Sequence, residues 1–132
     1  MIEQIRLVLE DARFGDLFGA DSRAEVPIVG RILADRAAAG GQTISVAGQV
    51  DRLAVTAGGV LIADYKTNRP APRRADDVPQ AYLKQLALYR AVLRRIYPGR
   101  PVRAALLWTD VPDLMEISAE TLDRALATLT SP

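Results

Sequence analysis

Three charged side chains combine types and spacing that could do chemistry. Asp51 closes the run Gly48-Gln49-Val50-Asp51, and Asp64 and Lys66 sit in Asp64-Tyr65-Lys66-Thr67. Both runs are β-rich, and between them lies Gly58-Gly59, a pair that permits positive φ and signals a two-residue hairpin turn. With those glycines at the centre of the turn, Leu53 lies opposite Asp64 and Asp51 lies opposite Lys66. Opposed residues project to the same side of a sheet, and side chains alternate with period two. Asp51, Asp64 and Lys66 therefore share one face, and Leu53, Val55 and Ile62 continue it toward the turn as an apolar floor. Two carboxylates and one ammonium on a partly buried face suit Mg²⁺, which takes oxygen ligands and keeps several waters beside one or two carboxylates. Such an ion polarises a phosphodiester oxygen and lowers the pKa of bound water. Lys66 would orient that water or stabilise charge developing on the phosphate. A salt-bridged pair on a solvent-facing hairpin uses the same residues, because surface ion pairs are common and weak. Spacing alone leaves both readings open.

Composition narrows the chemistry further. The 132 residues include no cysteine and no histidine, which excludes disulfides, zinc ribbons, iron–sulfur clusters, thiol nucleophiles, imidazole ligands and histidine-dependent triads. Catalysis must then run on carboxylates, lysine, hydroxyls or a metal held by oxygen. A hydrophobic fraction of 49% and a charged fraction of 25% are those of a globular domain. No apolar run approaches the ~18 residues of a membrane span, and no signal peptide opens the chain. A soluble, cytoplasmic setting is expected, without membrane association. The net charge of +1 argues against nucleic-acid binding through bulk charge, although the local run Arg69, Arg73, Arg74 offers either phosphate contacts or ordinary solvated loop charge.

The elements that must position these groups are legible as one α/β domain spanning 1–132. Residues 2–12 have helical spacing and 14–23 read as a loop. The run 26–32 is a strand in which Pro27 favours an edge, and 39–41 is a break. Strands are predicted at 43–56 and 60–66, followed by an Arg-rich loop punctuated by Pro70, Pro72 and Pro79. The longest helix, 79–97, carries the stripe Tyr82, Leu86, Tyr89, Leu93, Ile96. Strands follow at 102–109 and 114–117, and Ser118 caps a closing helix with Glu120 in its first turn. The pattern predicts a mixed sheet with a central hairpin, flanked by helices.

The ordered set Gly48-x-x-Asp51, Asp64-Tyr65-Lys66-Thr67 and Gln85-x-x-x-Tyr89 resembles the RecB-like branch of the PD-(D/E)XK nucleases. Within that branch it is similar to the C-terminal nuclease domain of AddA-type helicase–nucleases of double-strand-break repair. Arg-Ala-Glu25-Val-Pro-Ile and Ala-Ala-Leu-Leu-Trp108-Thr carry the resemblance across nearly the whole chain. It implies a restriction-endonuclease-like fold and a Mg²⁺- or Mn²⁺-dependent deoxyribonuclease. Asp51 and Asp64 would be metal ligands together with the backbone carbonyl of Tyr65, and Lys66 would be the catalytic lysine. Gln85 and Tyr89, four apart on one helix face, would reach the site or the DNA backbone. DNA contacts would come from Arg69, Arg73, Arg74 and the helix flank near Gln85. Glu25 is either a further carboxylate at the site or a surface residue of a strand edge.

The implied partners are DNA, a helicase portion of the same longer chain and a second helicase–nuclease subunit. The alternative is a non-catalytic module of the same fold, retained for DNA or subunit contact. One departure stands out: nucleases of this branch carry a histidine ligand on a helix before the first strand, and this chain has none. The resemblance then implies a C-terminal fragment of a longer protein, with little cleavage by the isolated chain.

Overall fold

Each strand reads out its surroundings in its burial pattern. The computed structural model describes residues 21–33, 43–110 and 113–130. Within them, β1 (Ser22–Leu33), β2 (Thr43–Thr56), β3 (Gly59–Lys66), β4 (Val102–Trp108) and β5 (Asp113–Ile117) form one sheet in the order β1-β2-β3-β4-β5. β1 alternates exposed and covered positions with Pro27 outward, the pattern of an edge strand in which a missing N–H costs no ladder bond. β4 is apolar and buried through Ala104–Trp108, as expected of a strand covered on both faces. β3 and β4 run parallel, and the other neighbouring pairs run antiparallel. A parallel pair needs a crossover, and helix α1 (Gln80–Ile96) supplies it, after a single 3₁₀ turn at Ala75–Asp77.

α1 buries Leu83, Leu86, Ala87, Tyr89, Val92 and Leu93 against the sheet, where they meet Val50, Leu53, Ile62, Leu106 and Trp108 in one core. Fully burying one such aliphatic side chain is worth about 1.5–3 kcal/mol. The predicted stripe fails at its end, because Ile96 is 54% exposed. Ile96 is the last helical residue, and the C-cap Tyr97 that follows, with its backbone out of helical geometry, packs on the core. Helix α2 (Ala119–Thr130) packs on α1 through Leu122 and Ala125. Its start is capped as predicted, with Ser118 Oγ accepting the Thr121 N–H at 3.1 Å. No described helix is long and apolar enough to cross a membrane.

The predicted helix at 2–12, most of the loop at 14–23 and the break at 39–41 lie outside the described residues; β1 begins already at Ser22. The hairpin corrects the predicted register. Its pairs are Thr56↔Gly59, Val55↔Val60 and Leu53↔Ile62, so Ala57-Gly58 form the turn and Leu53 opposes Ile62, not Asp64. The reason is local. Neither Ala57 nor Gly58 takes positive φ, whereas Gly59 sits at φ +155° where a Cβ would lie 2.9 Å from the Pro101 carbonyl oxygen. That glycine is needed as the first strand residue, not as a turn residue. The slip is two residues in the sum of paired positions, and side-chain parity survives it.

Gly59→Ala is therefore expected to destabilise the fold by about 1–3 kcal/mol, while Gly58→Ala, with only Thr56 Oγ1 at 3.8 Å from the added carbon, is expected to be near neutral. Urea unfolding with an unchanged m-value checks both.

Candidate active site

The site forms where β2 and β3 part. Their ladder ends at Arg52↔Ala63. Beyond it the Asp51 N–H donates to Asp64 Oδ1 at 3.2 Å, and the Tyr65 N–H donates to Asp51 Oδ2 at 2.7 Å. Each carboxylate thus takes a backbone N–H from the opposite strand and replaces sheet bonds that the separation forfeits. β3 keeps its other neighbour to the end, with Lys66↔Trp108 in register and the Thr109 N–H donating to the Lys66 carbonyl at 2.9 Å. The cluster lies at the carboxyl ends of the parallel strands β3 and β4, the usual ligand position in α/β sheets.

A kink in β2 accompanies the parting. Ile44, Val46 and Val50 pack on the α1 side of the sheet, and so do Leu53 and Val55, so the facing parity changes from even to odd between Val50 and Leu53. The β1–β2 pairing passes from Ala24↔Arg52 to Val26↔Val50, and Glu25, across from Asp51 in this register, holds φ +53°. Non-glycine residues pay a strain cost in that region. Glu25 is exposed, and no group of three or more acidic side chains converges to hold a metal among the described residues. The carboxylates that the structure brings together here are Asp51 and Asp64.

Asp64 is 4% exposed and is the buried charged residue of the described core. Burial pushes its carboxyl above the ordinary value of 3.8. The Asp51 backbone N–H and the Lys66 ammonium pull it down without cancelling that effect, and the neighbouring Asp51 charge adds to the rise. Lys66 Nζ stands 3.8 Å from Asp64 Oδ2 and donates to Gln85 Oε1 at 3.3 Å. Gln85 Nε2 in turn donates to the Tyr89 hydroxyl at 3.2 Å.

Tyr89 is buried, and its hydroxyl occupies the place a Gly48 Cβ would need, 2.1 Å away. The glycine of Gly48-x-x-Asp51 is therefore the seat of the tyrosine of Gln85-x-x-x-Tyr89, and the two motifs are one packed unit. Asp51, Asp64, Lys66, Gln85 and Tyr89 come together, with Tyr89 reaching the cluster only through Gln85. Both ends of the Gln85 amide are engaged within the cluster.

The arginines of the following loop are arranged differently. Arg69 faces Asp110 at 3.6 Å, Arg74 pairs with Asp76 at 2.9 Å, and both arginine side chains are exposed, as is Arg73. Two further neighbours, Tyr82 and Asn68, are not evident from the motifs. The helical pattern assigns Tyr82 only to the apolar stripe, yet its ring lies 4.3 Å from Lys66 Nζ, and its hydroxyl donates to Asn68 Oδ1 at 2.8 Å. The available signal is spacing, since Tyr82 precedes Gln85 by three and shares its helix face.

The donor set suits a hard divalent cation. After the backbone bonds are counted, each of Asp51 and Asp64 retains an oxygen, and two carboxylates against one ammonium leave the cluster net negative. Comparison with known proteins places the chain in a family. A family model described as the PD-(D/E)XK nuclease superfamily matches residues 3–129. No curated protein sequence gives a match. Among solved structures the chain is similar to one described as "Crystal structure of SSO0001", at 16% identity and a TM-score of 0.46 over 93% of this chain. It spans 55% of that chain's length.

Because burial raises the Asp64 pKa, ionising this group costs folding stability as pH rises from the ordinary carboxylate range through the raised value. In chelator-treated protein, Asp64→Asn is expected to raise Tm by a few degrees at neutral pH. The gain should shrink as pH falls and vanish below 3.8, where Asp64 is protonated in both states. Thermal scans across pH measure it; a lower Tm for the variant at pH 7 contradicts the burial cost.

Proposed function

The chain belongs to the PD-(D/E)XK nuclease superfamily, and from that premise we propose that it hydrolyses DNA phosphodiesters with Mg²⁺ or Mn²⁺, as the nuclease part of a helicase–nuclease acting in double-strand-break repair. The carrying observation is the convergence of Asp51, Asp64 and Lys66 at the parted end of β2 and β3. The helicase portion, a second subunit and the repair setting rest on the motif set and its similarity to AddA-type proteins. A non-catalytic contact module would have no use for a carboxylate buried at the expense of stability.

In this reading Asp51, Asp64 and the Tyr65 carbonyl would hold the cation. When bound, the cation supplies Lewis-acid stabilisation of the phosphate's negative charge. The backbone N–H bonds already fix the direction of both carboxylates, which would keep reorganisation on binding a cation small. Lys66, 3.8 Å from Asp64 Oδ2 and bonded to Gln85 Oε1, would turn a remaining N–H toward the phosphate or the attacking water. Gln85 sets the direction of the ammonium, and Tyr89, immobilised on Gly48, sets the direction of Gln85. Tyr89 is thus a positioning residue. Arg69, Arg73 and Arg74 lie on the loop directly after the motif strand and would meet the DNA backbone there.

Lys66→Ala is expected to lower the Mg²⁺-dependent cleavage rate by about 10²–10³-fold while the protein still folds, with Tm lowered because Asp64 loses the charge beside it. A near-normal rate would remove Lys66 from the mechanism. Replacing Arg69, Arg73 and Arg74 together by alanine should weaken DNA binding and reduce the magnitude of the log K against log salt slope by about 0.9 for each phosphate that the variant no longer neutralises. Filter binding or anisotropy across a salt series reads it, and an unchanged slope assigns those arginines to solvated loop charge paired with Asp110 and Asp76.

A further inference from the structure

We propose that Tyr82 is a positioning residue for Lys66, its ring face and Gln85 together fixing the direction of the ammonium; this rests on the reading of Lys66 as a participant in phosphodiester cleavage. The lysine side chain is long and flexible, and its ammonium carries three donors that rotate freely in water. Here the ammonium is confined on three sides. Gln85 Oε1 accepts a hydrogen bond at 3.3 Å, Asp64 Oδ2 lies at 3.8 Å, and the centroid of the Tyr82 ring lies at 4.3 Å. An ammonium this close to an aromatic face is held by the negative face of the ring quadrupole. One donor is spent on Gln85 and the ring covers another side, so the third is left toward Asp64 and the space where a phosphate would enter.

Independent features make the ring a fixed surface rather than a passing neighbour. Tyr82 sits in the first turn of α1, where its N–H donates to the Pro79 carbonyl at 3.0 Å. Its hydroxyl donates to Asn68 Oδ1 at 2.8 Å, two residues beyond Lys66 on the same stretch of chain. Its ring lies 6.2 Å from that of Trp108 at 42°, and Trp108 is completely buried. The hydroxyl tie and the tryptophan each limit swing of the ring, so either can be removed while the ring remains. A residue serving the core alone would not need its hydroxyl tied to the strand end that carries Lys66.

The test compares Tyr82→Phe, which keeps the ring, with Tyr82→Leu, which keeps apolar bulk without it. The first readout is independent of activity. An aromatic ring shifts protons above its face upfield, and the chain has just two lysines, Lys66 and Lys84, so the Lys66 side-chain methylene signals next to the ammonium can be assigned by NMR. They are expected upfield of the Lys84 signals in the unaltered protein and in Tyr82→Phe, and at ordinary positions in Tyr82→Leu. The second readout is cleavage at saturating DNA. Tyr82→Leu should lower kcat about tenfold with little change in KM, and Tyr82→Phe should restore most of it. In a Lys66→Ala background, Tyr82→Leu should bring no further loss. Absence of the upfield shift in the unaltered protein, or an unchanged kcat in Tyr82→Leu while Lys66→Ala is inactive, overturns the inference. Near-normal cleavage by Lys66→Ala overturns instead the reading on which it rests.

Discussion

The structure around the site is organised by one electrostatic problem: two carboxylates are held together where water is largely excluded. Asp51 and Asp64 accept N–H groups across the gap between β2 and β3, and these bonds offset part of the cost of burying charge. They also explain how the strands can separate at all. A sheet that opens leaves backbone donors without partners, and the two carboxylates take those donors over. Asp64 nevertheless keeps a raised pKa, with burial as the leading cause, so the compensation is incomplete without a further positive charge. A core assembled for stability alone would place an apolar residue there.

The helix crossing above this gap supplies the second constraint. α1 must approach β2 closely enough for Gln85 to touch Lys66, and the close approach depends on a missing Cβ at Gly48, whose place the Tyr89 hydroxyl takes. Gly30 on β1 does the same for Val92, where a Cβ would lie 2.8 Å from a methyl carbon. The helix is thus seated on two glycines of neighbouring strands, one near the site and one away from it. Between them Val50, Leu86 and Leu93 fill the interface with essentially no exposure. Packing set by apolar contacts in this way transmits position to a polar cluster, because a close-packed interior yields little to lateral displacement.

Much of this is legible in the sequence because it depends on parity and on steric punctuation. The same-face placement of Asp51, Asp64 and Lys66 survives a wrong turn assignment, since the register error is an even number of residues. Pro27 marks the edge strand through its missing N–H, and Ser118 marks the start of the last helix. What is not legible involves groups distant in sequence that meet for tertiary reasons. Gly59 looks like a turn glycine because nothing local shows the Pro101 carbonyl that excludes a side chain. The positive φ of Glu25 carries no residue signal, glutamate being a poor choice for it. The role of Tyr82 is hidden by the stripe it belongs to, since a ring that helps fill the core and a ring that faces an ammonium have the same spacing.

The kink shared by β1 and β2 ties these observations together. In a regular strand Val50 and Asp51 would point to opposite faces, and burying Val50 on the α1 side would send the Asp51 carboxylate to the far side, away from Lys66. The parity change between Val50 and Leu53 removes that conflict: Val50 reaches the core and Asp51 still bonds the Tyr65 N–H. The edge strand must follow the distortion, and it does so at Glu25, the one described non-glycine residue with positive φ. Local strain in β1 is therefore coupled to the geometry of the carboxylate pair through strand pairing alone, with no contact between the Glu25 side chain and the cluster required. A residue without a Cβ at position 25 would relieve that strain without disturbing Asp51, whereas a β-branched one would resist the left-handed conformation and press the kink out of β2. The carboxylate pair thus depends on backbone conformation one strand away, as well as on the residues that touch it.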